Sequence, residues 1–238
     1  MSTSNSIRTD LASIRGQSYQ TYQKSLHVTT SFSLLQQKSY GCENLCRDAI
    51  NAITPVLVDN YDTSCYERGA ELSGVVGQLR LAQDDITVNG AAAGQEIVGC
   101  LTDLQSSTVA LNSVLASMSP GPAQQAVSNA ISLMNQGLSK EAMIQFPVDD
   151  LVKRGTELLD TAAEQAGEIA ADSPKNPGDV SAAGHLANRS VFESKALYSQ
   201  TGAKAMDCGV QQSQVSSAVL HATDQIDLAI QQLDVSAP

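Results

Sequence analysis

Five cysteines and three histidines are the side chains of this chain best suited to nucleophilic or metal chemistry. Cys42 and Cys46 are four residues apart and share one face of a helix. An antiparallel C-terminal helix would bring Cys208 toward them and create a three-thiol cluster. A closed zinc site needs a fourth ligand, and no knuckle or ribbon spacing supplies one. The thiols, Cys65 and Cys100 included, are therefore expected to act as small apolar fillers in a reducing compartment.

His27, His185 and His221 offer little more. His221 has Asp224 three residues on, the arrangement of a base with its orienting carboxylate, but no nucleophile completes a triad. Glu164 and Glu168 share a helix face as di-iron carboxylates do, yet the chain contains no Glu-x-x-His. Asp84-Asp85 and Asp149-Asp150 read as solvated helix ends. The glycine clusters Gly74-Val75-Val76-Gly77 and Gly90-Ala91-Ala92-Ala93-Gly94 lack the Lys-Ser/Thr and the preceding strand of a phosphate loop. The Leu-x-Gly of Leu72-Ser73-Gly74 is too short to assign a family. No catalytic, cofactor-binding or metal residue is assigned, and the expectation is a protein that is not an enzyme.

The elements that would position these groups are helices. A three-and-four spacing runs through Ile7, Leu11, Ile14, Ser18, Thr21, Ser25, Val28, Phe32, Leu35, Ser39, Cys42, Cys46, Ala49 and Ile53. A second seam runs through Val180, Gly184, Ala187, Val191, Ser194, Tyr198, Thr201, Ala205, Cys208, Gln212, Val215, Val219, Ala222, Ile226, Ala229 and Leu233. Ten of the first 14 positions and 12 of the second 16 are apolar, against 42% of the whole chain. Unbroken helices over these stretches would be roughly 70 and 80 Å long. Such long, narrow apolar stripes need partner helices to bury them. Polar Ser18, Thr21 and Ser25, with Tyr19, Tyr22 and Leu26 beside them, suggest a seam that changes face and packs against two neighbours.

Between the terminal helices the chain punctuates itself. Pro55 predicts a stop at Thr54. A second helix is expected from Asp59 to Val88, and Asn89-Gly90 predicts a turn. A third follows from Ala91 to Met118, ended by Ser119-Pro120-Gly121-Pro122. A shorter one spans Ala123 to Leu138, and Phe146-Pro147-Val148-Asp149-Asp150 opens another that runs to about Ala171. Ser173-Pro174-Lys175-Asn176-Pro177-Gly178 breaks the chain before Asp179 or Ser181 starts the last helix. Gly16, Gly41, Gly184, Gly202 and Gly209 fall inside the terminal helices and are expected to mark close helix contacts.

The fold class expected is all-α: an elongated antiparallel helical bundle, a single domain over residues 1–238, with coiled-coil-like terminal helices at 7–53 and 180–233 and middle helices within 59–171. With no Trp, three Phe and 4% aromatic residues, a thin bundle suits the composition better than a layered α/β core.

Net charge is −11, but residues 1–54 carry five basic against three acidic groups while every later segment is acidic. This favours packing within the molecule or between copies and argues against nucleic acid. The polar N-terminus has no apolar signal core, and Ile86–Leu104, the best membrane candidate, is interrupted by Asn89, Gln95, Glu96 and Asp103. The chain is expected to be cytoplasmic, or exported without a cleaved signal. Its expected work is contact with a protein partner or its own copies, as a structural or export-apparatus-associated subunit. The alternative is the soluble form of a membrane-active bundle, such as a pore-forming toxin component.

Overall fold

The computed structural model describes residues 3–58, 64–171 and 177–235. The described residues form five helices and no strand: α1 (Thr3–Val58), α2 (Ser64–Ser117), α3 (Pro122–Glu141), α4 (Val148–Ala170) and α5 (Pro177–Val235). The protein is an all-α helical bundle.

Both heptad-like seams are its buried faces. All 14 positions of the first are buried, and so are all of the second except Leu233, which is half-buried. The polar seam positions are buried as deeply as the apolar ones, Ser18, Ser25, Ser39, Ser194 and Gln212 being fully inaccessible. The seam therefore does not change face at Ser18–Ser25, as the polar run had suggested. Tyr19 and Leu26 stay outward, and the Tyr19 and Tyr22 rings lie 6.0 Å apart. Of the small buried seam hydroxyls, Ser25 finds its partner on α5, Ser18 Oγ has none, and four bond to their own helix. Thr21, Ser39, Ser194 and Thr201 each donate to the carbonyl four residues earlier.

Two expected breaks are absent. Pro55 lies inside α1, which continues to Val58. Set in the last turn, it removes one backbone hydrogen bond without ending the helix. Asn89-Gly90 likewise lies within a continuous α2, with no residue at positive φ. Asn89 Nδ2 donates to the Asp85 carbonyl at 2.6 Å and to Asp85 Oδ1 at 2.8 Å, which ties the side chain to its own helix. Gly90 admits the Phe146 ring, since a Cβ there would stand 2.7 Å from Cε1. Packing of that ring outweighs the local turn preference. The expected start at Asp59 and most of the break at Ser173–Gly178 lie outside the described residues. Breaks do occur at Met118–Gly121 and before α4.

The chain divides into two compact units, and α1, α2 and α5 each contribute a segment to both. The first unit takes residues up to Phe32, Ala92–Gln145 and those from Asp207 on, so α3 is its fourth helix. Arg15 pairs with Asp227 at 2.8 Å and Ser25 with Ser216 at 2.7 Å, so α1 and α5 run in opposite directions there. Lys24–Asp103 and His27–Glu96 join α1 to α2, and Asn129–Gln225 and Lys140–Gln214 join α3 to α5.

The second unit takes Ser33–Ala91 and Phe146–Met206, with α4 as its fourth helix. A Cβ on Gly202 would meet Ser39 Cβ at 3.2 Å, and one on Gly184 would meet Leu57 Cδ2 at 3.1 Å. These glycines sit at close contacts of α1 with α5. Gly209, in the first unit, faces Phe32 in the same way. Gly16 and Gly41 instead face open space, so their expected role as contact points fails. Arg80 meets Asp160 at 2.6 Å, joining α2 to α4.

Candidate functional site

Each unit holds one cluster of buried polar side chains contributed by different helices. In the first unit, α3 carries a buried stripe of Val127, Ala130, Met134 and Gly137 whose next step is Glu141, the helix's final residue. Glu141 is fully inaccessible, and so are Ser25 on α1 and Gln212 on α5. Gln212 Nε2 donates to Ser25 Oγ at 2.7 Å and to Glu141 Oε2 at 3.1 Å. Ser25 and Ser216 share a hydrogen bond at 2.7 Å, and Ser216 donates to the Gln212 carbonyl at 3.0 Å. Glu141 Oε1 and Gln212 Oε1 are buried without a hydrogen-bond partner.

A carboxylate in such a place loses its hydration and regains one hydrogen bond. Burial pushes the Glu141 carboxyl up to about 7, against a smaller opposing effect of the Gln212 hydrogen bond. The Cys100 thiol is pushed up to about 12, by burial first and then by the negative charge of Glu141. A carboxyl that exchanges its proton near neutrality suits acid–base chemistry. Here its hydrogen-bonded neighbour is an amide, and every member of the cluster is at most 3% exposed.

In the second unit the corresponding groups are neutral. Tyr198 on α5 is fully buried, and its hydroxyl donates to Gln83 Oε1 at 3.0 Å. Gln83 Nε2 donates onward to Thr156 on α4 at 3.3 Å. Gly155, beside Thr156, leaves the space that the Gln83 amide fills. Burial raises the Tyr198 hydroxyl further above its usual range, so it stays protonated. A small cleft of about 130 Å³ borders this cluster, lined by Arg80, Gln83, Asp84, Thr156, Leu159 and Asp160.

Among the described residues the cysteines singled out by spacing belong to no group placed to hold a metal ion. Cys42 and Cys46 lie in the second unit, and burial pushes both thiols up to about 12. Cys208 lies in the first unit and donates to the Gln145 carbonyl at 3.5 Å. Among the described residues no group of three or more Cys, His, Asp or Glu is placed to hold a metal ion, and no cysteine is in a disulfide.

His221 lies 3.7 Å from Asp224 with both side chains 64% exposed, a solvated surface pair. His27 reaches Glu96 at 3.3 Å, and His185, Glu164 and Glu168 are exposed. Asp149 and Asp150 occupy the first turn of α4. Asp84-Asp85, expected at a helix end, lies inside α2, where Asp85 pairs with Lys38 of α1. Gly74 and Gly77 face open space.

The spacing argument missed Glu141 and Gln83. The signal was present: each is the polar member of an otherwise apolar stripe, Gln83 between Leu79 and Ile86 and Glu141 after Met134 and Gly137. A surface groove of about 630 Å³, bordered by Lys24, His27, Gln95 and Glu96, lies on the α1–α2 face of the first unit. No helix among the described residues is long and apolar enough to cross a membrane. No protein-family model matches the chain, and no characterised protein matches it in sequence.

Proposed function

We propose that the chain is a non-enzymatic helical scaffold that works by contact with copies of itself or with a protein partner. The observation that carries this reading is a pair of large outward apolar side chains on α2, one on each side of Asp84 and Asp85. Leu81 and Val88, seven residues apart and on one face, are 73% and 67% exposed. Single exposed apolar residues are ordinary on a soluble protein. Two large ones in register on a helix whose opposite face is already buried are what an interface needs. The distribution of reactive groups supports the same reading. Thiols and the Glu141 carboxyl are sealed in cores, while His27, His221 and the carboxylates around them lie on solvated faces.

Sedimentation of the purified chain across a concentration range tests this reading. The expected result is a mass above the 25.0 kDa of one chain. The double variant Leu81→Glu/Val88→Glu is expected to return to single-chain mass with unchanged melting. A wild-type chain that stays monomeric and brings no partner through purification would defeat the proposal.

A further inference from the structure

The end of α3 is fastened to α5 by a short series of contacts. Lys140 donates to Gln214 at 2.6 Å, Glu141 accepts from Gln212, and Cys208 donates to the Gln145 carbonyl. Ile144 is buried beside them, and the backbone from Ala142 to Ile144 closes with turn hydrogen bonds onto Leu138, Lys140 and Glu141. We propose that this segment, Lys140–Gln145, is an acid-closed latch on α5, held docked when the Glu141 carboxyl is protonated and released when it ionises.

The geometry gives the two protonation states different standing. Oxygen and nitrogen of the Gln212 amide occupy equivalent positions, and turning the amide over exchanges them. With nitrogen toward Glu141, the amide donates to a carboxylate whose other oxygen is buried and unpartnered. With oxygen toward Glu141, the amide accepts from the protonated carboxyl and from Ser25. The Ser25 hydroxyl then gives its one proton to the amide, so one of the contacts among Ser25, Ser216 and the Gln212 carbonyl is lost, but no charge is buried, and a buried charge with one hydrogen bond is the more expensive state. Undocking the end of α3 restores water to the carboxylate.

Other titrating groups around Glu141 do not neutralise it. From α2 it is faced by the Cys100 thiol, which burial keeps protonated. Asp103 of α2 is held in an exposed ion pair with Lys24 of α1, and Glu96 of α2 lies 3.3 Å from His27 of α1. From α5 come Gln212, Ser216 and the Cys208 thiol, and on α3 itself Lys140 is engaged by Gln214. Among the described contacts no cation meets the carboxylate.

Hydrogen exchange on the full chain between pH 5.5 and 8 tests the latch, with protection corrected for the intrinsic pH dependence of exchange. Peptides covering 138–146 should lose protection by about tenfold or more as pH rises, while α4 peptides stay level. In Glu141→Gln the 138–146 protection should not change with pH. A level wild-type profile would overturn the proposal, as would an equal loss in Glu141→Gln. Should that variant not fold, infrared difference spectra of the wild type decide. The band of a protonated buried carboxyl must disappear over the same pH interval as the protection. Its disappearance with protection intact, or its absence at pH 5.5, would also overturn the latch.

Discussion

The two units solve one problem in opposite ways. Each is made of four helical segments and places a glutamine amide among its buried residues. In the second unit Gln83 is satisfied at both ends, accepting from Tyr198 and donating to Thr156, and no member of that cluster carries charge. In the first unit Gln212 meets an acid, and one oxygen on each partner is left unpartnered. A neutral, satisfied cluster orders a core at all pH values, whereas one containing a carboxylate makes its unit's stability depend on protons. The lesson is that helix spacing determines which residues are inside, while the chemistry of the few polar ones determines how that interior responds to solution.

The sharpest way to break this comparison is Glu141→Gln. The Glu141 carboxyl has a folded value near 7, raised above the 4.5 of an unhindered glutamate. The folded state therefore binds more protons than the unfolded one between these values. The contribution of this one group to stability is greatest below about pH 4.5, falls as pH rises toward 7 and is then level. The variant lacks this decline and should be more stable than wild type at pH 8 by about 3 kcal/mol, with the difference vanishing near pH 4.5. Urea midpoints across that range measure it. A level wild-type profile would erase the distinction between the units.

Tyr198→Phe probes the other side. It leaves Gln83 Oε1 without its donor and should cost about 1–3 kcal/mol by the same titration. Unlike the Glu141 effect, this loss should not vary between pH 5 and 8. Gly155→Ala displaces the same amide, so the double variant should cost less than the sum of the two singles. Additive losses would show that Gln83 is not the shared element.

The smallest effect is expected at the rim of the same cluster. Asp160→Asn removes the partner of Arg80, a pair with both side chains roughly half exposed. Its cost should be about 0–1 kcal/mol and should shrink in added salt. A larger, salt-insensitive loss would mean that the Arg80 contact supports Gln83 rather than merely bordering it.

Much of the fold was legible in the sequence because two periodic seams of that length have few ways to be buried. Even their polar members were placed correctly by position. Inferring a change of face from Ser18, Thr21 and Ser25 erred because polarity was weighed above volume. Side chains this small fit a core whether bonded to their own helix, as Thr21 is, to α5, as Ser25 is, or to nothing, as Ser18 Oγ is. Asn89-Gly90 misled for a related reason. Its turn preference is local, while the Phe146 ring that fills the space above Gly90 comes from 56 residues further along the chain. Glu141 was hidden differently: at the end of a short helix, its type suggests solvent. Only the stripe through Met134 and Gly137 placed it inside, and only packing against Gln212 raises its proton affinity.

The distribution of thiols gives the molecule a set of internal clocks. Cys42, Cys46 and Cys65 belong to one unit, Cys100 and Cys208 to the other, and all five are buried. A reagent that alkylates only exposed thiolate must wait for the surrounding helices to part. With single-cysteine variants, the labelling rate at Cys42 would time the opening of one unit, and that at Cys100 the opening of the other. Local breathing in each unit could then be followed without attaching a foreign probe.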